Sequence, residues 1–300
     1  KSFCLPDTER STLGSRRMIT RKRVLITGGG GQLATDLATA FPSMDTIVLK
    51  RGQLDVSRKA DVHAVIQHYK PNVIINTAAF TNVDKCESND GIAQSTNSYG
   101  VRNLVQAADQ AGAQMVQIST DYVFDGTLGR PYIESDTTNP LSVYGKTKLE
   151  GEKAVREGDL LVRTSWLCGT HGSNILKTII ALAQQDKALT FVNDQIGHPS
   201  FTSDIALVIS NLIDVEAKGT FHVTNQGAVS WFEFAQTVLN SMGRSPAQVS
   251  PTTTAELRPP RAAVRPANAA LQNDALQWAG LPLAPHFQET LPRLVKDLCG

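Results

Sequence analysis

The run from Val24 to Ala34 restricts the fold more than any other part of this chain. Val24-Leu25-Ile26 is an apolar triplet of strand type. Thr27-Gly28-Gly29-Gly30-Gly31-Gln32-Leu33-Ala34 follows at once, and a helical pattern then runs to about Phe41, where Pro42 stops it. A strand, a glycine-rich turn and a helix in this order open a βαβ unit. Gly28 allows the tight turn, Gly31 lets the backbone approach a pyrophosphate, and Ala34 is small enough for helix and strand to pack closely. The helix start then offers unpaired N–H groups and a positive dipole end to phosphates. A merely flexible glycine turn is the competing reading, and the βαβ context argues against it. Gly28, Gly30, Gly31, Gln32 and Leu33 are therefore candidate cofactor-binding residues.

Beyond the turn, strand and helix patterns alternate. Strands are expected at 46–49, 73–76, 115–119 and 160–163, and helices at 58–69, 91–111 and 142–156. This rhythm predicts an α/β fold with a Rossmann-type doubly wound parallel sheet, its right-handed crossovers placing helices on both faces. After about residue 166 the rhythm changes. Helices are expected at 173–185 and 204–214, an extended and looped stretch at 189–203, and irregular structure at 250–268, rich in Pro, Thr and Ala. The expected division is a dinucleotide-binding domain over 23–166, to which later segments return, and a smaller, mainly substrate-binding portion over 167–300. Residues 1–22 are polar and rich in Ser, Thr and Arg, and are expected to be a tail or tag-like extension, with Met18 as a candidate natural start.

Composition narrows the partners. Net charge is +1, so no overall field steers the chain to nucleic acid or to a membrane surface. No apolar run reaches the roughly 18–20 residues that span a bilayer. The four cysteines, at positions 4, 86, 168 and 299, form no C-x-x-C and no metal-ligand spacing, which points to reduced thiols, a cytoplasmic setting and no structural metal.

Cofactor choice is read at the end of the second strand. An acidic residue there would hold the ribose hydroxyls of NAD. Here Lys50-Arg51 stands in its place, and two cations suit a 2′-phosphate, so NADPH is expected, with NADH and a solvated basic turn left open. Asp55 lies further on, beside Val56, where its carboxylate can accept from an adenine amino group.

The chemistry is expected from three side chains. Thr120 ends a strand, at the edge where open α/β sheets bind ligands. Tyr144 and Lys148 are spaced i, i+4, so a helix puts both on one face. A lysine ammonium beside a phenol favours the phenolate and is expected to lower its pKa toward the working range of a proton donor. Thr120 can then donate to a carbonyl oxygen, Tyr144 protonate it, and Lys148 hold the nicotinamide ribose. Such a set suits hydride transfer to a carbonyl and neither acyl nor phosphoryl transfer.

With these residues the chain resembles the extended short-chain dehydrogenase/reductases and, within them, the dTDP-4-dehydrorhamnose reductase family. The resemblance covers nearly all of 23–298 and rests on ordered segments at 27–33, 76–84, 119–126, 144–148, 163–166, 194–199 and 265–268, together with Asn97, Asn103 and Leu104. It implies NAD(P)H-dependent reduction of a dTDP-linked 4-keto-6-deoxy sugar, with Thr120, Tyr144 and Lys148 at the catalytic positions. It implies that Ala78 and Ala79 line the cofactor, and that Thr81, Val83, Asp84, Asp121, Tyr122, Trp166, Gln195 and Arg265 lie on the substrate side. Trp166 would pack an indole face on the sugar and Arg265 would pair with the diphosphate. Taken alone, Trp166 also reads as plain core, Arg265 as a solvated loop cation, His198 as a structural loop histidine, and Asp84 with Glu87 as helix-start charges. Cys168, His198 and Ser200 depart from the family pattern on the substrate side. A homodimer is left open, and no carboxylate cluster compels a magnesium site. The competing readings are a cofactor-binding regulatory subunit like that of methionine adenosyltransferase, and an epimerase or dehydratase on the same scaffold. A dehydratase would want a second acid after Asp121, where Tyr122 stands.

Overall fold

The computed structural model describes residues 21–185 and 187–300, so the expected extension lies, but for its last two residues, outside the described part, as do Met18 and Cys4. The first half runs β1 (Arg23–Thr27), α1 (Gln32–Ala40), β2 (Asp45–Leu49), α2 (Lys59–Tyr69), β3 (Val73–Asn76), α3 (Val83–Ser88), α4 (Asp90–Gln94), α5 (Gly100–Ala111), β4 (Gln114–Thr120), α6 (Val143–Glu152) and β5 (Leu160–Thr164). The second half adds β6 (Leu167–Cys168), α7 (Ile175–Ala183), β7 (Leu189–Val192), β8 (Ile196–Gly197), β9 (Ser200–Phe201), α8 (Thr202–Asp214), β10 (Gly219–His222), β11 (Val229–Ser230), α9 (Trp231–Ser241), β12 (Val249–Thr252), α10 (Asp274–Trp278) and α11 (Phe287–Cys299).

Six strands form one parallel sheet in the order β2-β1-β3-β4-β5-β10. The chain leaves β1 toward β2 and returns to β3 on its other side. The order therefore reverses between β1 and β3, and a crevice opens beyond the carboxyl ends of those strands. Alternate residues of each strand serve opposite faces. Val24, Ile26, Val73, Ile75 and Val116 pack under α1 and α8 through Leu37, Ile205 and Ile209. Leu25, Ile74 and Met115 pack under α2 and α5 through Val62, Ile66 and Leu104. A further core joins α7, α9 and α11 through Ile179, Phe234 and Leu291. Because α8 covers the sheet and β10 extends it, the second half of the chain contributes to both bodies of packing.

Two expectations need correction. The stretch 91–111 is not one regular helix: a π-helical turn, Ser95–Tyr99, separates α4 from α5. This wider turn carries Asn97 inward, where its Oδ1 accepts from the Phe80 N–H (2.8 Å) and its Nδ2 donates to the Phe80 carbonyl and Thr147 Oγ1 (3.1 Å each). The stretch 250–268 is not wholly irregular either, since Val249–Thr252 pairs in parallel with Leu189–Val192.

Two buried histidines make the fold acid-sensitive. His198 Nδ1–H donates to the Asn225 carbonyl (3.0 Å), and His222 Nδ1–H to those of Tyr132 and Gln272 (3.1 and 3.0 Å). Their Nε2 atoms have no partner among the described residues. Burial pushes His198 down to about 4 and His222 to about 3. Both folded values lie below the unfolded one of 6.5, so the unfolded chain binds protons first. Stability contributed by the neutral rings is whole above pH 6.5 and falls as pH drops, by up to about 1.4 kcal/mol per unit for each ring. Thermal unfolding followed from pH 7 to 4.5 should show a falling Tm whose slope lessens in His222→Gln. An unchanged slope would contradict this.

Candidate active site

The floor of the crevice is the turn between β1 and α1. Gly28 has φ of 75°, and a Cβ there would meet the Ala78 nitrogen and Thr77 Oγ1 at 2.7 Å, so no other residue fits without displacing backbone. Gly31 is the N-cap of α1 and gives it no side-chain cap, and the first turn holds no acid, which leaves its N–H groups and dipole free for an anion. Buried polar side chains lock the neighbouring strand ends together. Thr27 Oγ1 donates to Asn76 Oδ1 (2.6 Å), and Asn76 Nδ2 donates to Gln117 Oε1 (2.8 Å).

A cleft of about 670 Å³ runs from this floor across the sheet edge. Gly28, Gly30, Gly31, Gln32 and Leu33 line one end, with Arg51, Asp55, Val56, Ala78 and Ala79. Thr81, Val83, Thr120, Asp121, Tyr122, Tyr144, Lys148 and Trp166 line the rest. A glycine floor, an uncapped helix start and a cation at the second strand suit a phosphorylated dinucleotide. Lys50 is exposed and does not line the cleft. Arg51 does, with its guanidinium 3.7 Å from Asp55 Oδ2. Asp55 already accepts from the Ser57 N–H and hydroxyl (3.0 and 2.6 Å). Among the described residues no cluster of His, Cys, Asp and Glu has the make-up of a metal site.

Thr120 and the Tyr144–Lys148 pair come together from β4 and α6. Ser142 caps α6 by accepting from the Gly145 N–H (3.2 Å). Gly145 then lies against the Tyr122 carbonyl, so close that a Cβ would overlap it. That contact brings the Tyr122 and Tyr144 rings edge to face, 5.6 Å between centroids. The expected lowering of the Tyr144 phenol is not what the structure has. Burial pushes it above its ordinary value, the neighbouring Asp121 adds to the shift, and a hydrogen bond with Thr120 offsets part of it. The Lys148 Nζ donates to the Ile118 carbonyl (2.6 Å) rather than to the phenol, and burial lowers its own pKa to about 8. The phenol is thus held protonated, the form that can give a proton away.

Several substrate-side expectations are also revised. Arg265 pairs with Asp84 through two parallel bonds of 2.7 Å, and neither side chain lines the cleft. The Arg265 guanidinium holds the Asp84 carboxyl far below the usual carboxylate range. Asp84 is therefore more than a helix-start charge, a role Asn82 fills by accepting from the Lys85 N–H. Gln195 is buried, outside the cleft, and donates to Thr254 Oγ1 (2.9 Å). Trp166 does line the cleft, in the left-handed region with φ of 42°, which costs a non-glycine residue about 1–2 kcal/mol. Its indole stacks on Trp231 (3.5 Å, 10°), so one face is already covered.

Sequence reasoning missed Trp231, Gly172 and Ser173. The last two reach the cleft because Asn174 Nδ2 donates to Gln32 Oε1 (2.8 Å) across the crevice. No local pattern encodes a contact between residues so far apart in the chain.

The chain is similar to known proteins over most of its length. The family model described as RmlD substrate binding domain matches residues 22–299. A dTDP-4-dehydrorhamnose reductase of Streptomyces griseus is 38% identical, with 93% of this chain and 95% of that protein covered. A dTDP-4-keto-6-deoxy-D-glucose reductase of Streptomyces niveus is 34% identical, covering 90% and 95%. The crystal structure of dTDP-4-dehydrorhamnose reductase from Bacillus anthracis in complex with NADP superposes with a TM-score of 0.88 at 36% identity, covering 92% and 99%.

Proposed function

Because the chain belongs to the RmlD substrate binding domain family, we propose that it is an NADPH-dependent reductase of the 4-keto group of a dTDP-linked 6-deoxy sugar, converting dTDP-4-dehydro-L-rhamnose to dTDP-L-rhamnose. The observation that carries this reading is the shared cleft: Thr120, Tyr144 and Lys148 line the same space as the uncapped helix start after Gly28–Gly31. The nicotinamide supplies the hydride. Tyr144 holds a proton that burial keeps on the phenol, and passes it to the carbonyl oxygen as negative charge develops there. Thr120 steadies the same oxygen. Lys148 is charged below about pH 8 and orients the nicotinamide ribose. Asp121, Tyr122, Trp166, Thr81 and Val83 form the sugar side, while Gly172 and Ser173 close over Gln32 at the cofactor end.

Arg51 is the group proposed to meet the 2′-phosphate, with Lys50 as a more distant charge. Exchanging both for glutamine should weaken NADPH binding about tenfold while leaving NADH within about twofold, as expected for the loss of about 1.4 kcal/mol of charge-assisted contact. Equal losses for both cofactors in a fluorescence titration would remove the assignment.

The reading is tested by incubating protein, NADPH and dTDP-4-dehydro-L-rhamnose and following NADPH absorbance. Oxidation that depends on the sugar supports it. Faster oxidation with dTDP-4-keto-6-deoxy-D-glucose would move the substrate to that sugar. Cofactor binding without turnover on either sugar would favour the regulatory reading.

A further inference from the structure

Asp121 is a carboxyl buried in the cleft without a counter-charge among the described residues. It is 2% exposed, its Oδ2 has no hydrogen-bond partner, and no cation pairs with it among the described residues. Its Oδ1 receives the Thr120 hydroxyl hydrogen at 2.9 Å. Thr120 Oγ1 also accepts from the Tyr122 N–H (3.2 Å) and lies against the Tyr144 phenol.

A hydroxyl carries one hydrogen and two acceptor sites. With Asp121 ionised, that single hydrogen is drawn to the carboxylate, because hydrogen bonds to charged acceptors are the stronger ones. Thr120 then has nothing to donate to a carbonyl oxygen. With Asp121 protonated, the carboxylic O–H can donate to Thr120 Oγ1. The two acceptor sites are then filled by Asp121 and the Tyr122 N–H, and the hydroxyl hydrogen is released toward the cleft, where the Tyr144 phenol oxygen and a bound carbonyl oxygen compete for it.

We infer that Asp121 is a positioning residue that acts through Thr120: in its acid form it turns the Thr120 hydroxyl hydrogen toward the substrate's carbonyl oxygen. The inference rests on the keto-reductase reading and deepens it. The surroundings of Asp121 favour the acid form. From its own turn it meets Thr120 and Tyr122. From α6 come the neutral Tyr144 phenol and Lys148, whose amine is turned to the Ile118 carbonyl and feels the charge of Glu152. On the α3 side, Cys86, pushed up to about 11, acts on Tyr144, and Asp84, paired with Arg265, acts on Tyr122. Burial pushes Asp121 up to about 7, against the pull of the Thr120 hydroxyl and of backbone N–H groups.

Two measurements on the full chain test this. In the first, a ¹³C-carboxyl NMR titration of aspartate-labelled protein, with the resonance assigned from Asp121→Asn, should place Asp121 near pH 7. Titration in the ordinary range near pH 4 overturns the inference, whatever the enzyme's substrate. In the second, kcat is followed from pH 5.5 to 9.5 with NADPH and the keto sugar. The wild type should lose about tenfold in kcat per unit above pH 7. Asp121→Asn keeps an N–H donor toward Thr120, so its alkaline loss should begin about one unit later, where Lys148 titrates. An unchanged alkaline limb, or a folded, NADPH-binding Asp121→Asn without turnover at any pH, also overturns the inference. A wild type inert toward keto sugars overturns the functional reading instead, and the NMR titration still decides the state of Asp121.

Discussion

Tyr144→Phe is expected to lower turnover about 100-fold or more with NADPH affinity nearly unchanged. Only the phenolic oxygen is removed, and the ring that meets Tyr122 edge to face at 5.6 Å remains. The structure sharpens the reason. A lysine one turn away was expected to make the phenol acidic, yet burial keeps it protonated, and the Lys148 amine is engaged with a backbone carbonyl. For reduction this is the useful state, since the proton must be present when hydride reaches carbon. Single-turnover kinetics separate the step from cofactor release. Near-normal turnover in Tyr144→Phe would show that the proton comes from elsewhere.

The largest effect on stability is expected at Glu152. Its carboxylate accepts from Arg163 Nη2 at 2.8 Å and from Nε at 3.1 Å, and the two side chains are 5% and 8% exposed. Arg163 also lies over the Phe124 ring, 5.2 Å from its centroid. The pair fastens α6, the helix of Tyr144 and Lys148, to β5. Glu152→Ala leaves a buried guanidinium without its counter-charge and should cost about 3–5 kcal/mol, a large share of a typical domain's stability of roughly 5–15 kcal/mol. Replacing both residues with methionine should recover most of that loss, because the stranded charge is gone. Urea unfolding midpoints of the single and double variants measure this, and a loss under about 1 kcal/mol in Glu152→Ala would contradict the account.

What was legible in the sequence is what depends on neighbours along the chain. The β1–turn–α1 unit, the buried Val73–Asn76 strand and the Tyr144–Lys148 face all follow from local pattern, and each lies at the cleft or under it. The misreadings share one cause: the partner lies far away in sequence. Arg265 looked free for a diphosphate, but Asp84, 181 residues earlier, takes its guanidinium. Trp166 lines the cleft, and the Trp231 ring stacked on one of its faces was not visible in the sequence. The π-helical turn at Ser95–Tyr99 hides inside an ordinary helical periodicity, because its purpose is to aim Asn97 at the Phe80 backbone. The direction of the Tyr144 shift was misjudged for a related reason. Spacing shows which charge stands near a phenol, whereas burial depends on everything packed around it.

The central claim is that this cleft delivers hydride to the C4 carbonyl of a dTDP-linked sugar. The most direct test uses NADPH carrying deuterium at the transferring nicotinamide position, with the sugar product read by NMR. The account predicts one deuterium, bonded to C4 of the sugar. Deuterium at another sugar carbon, or a product without deuterium, would contradict it.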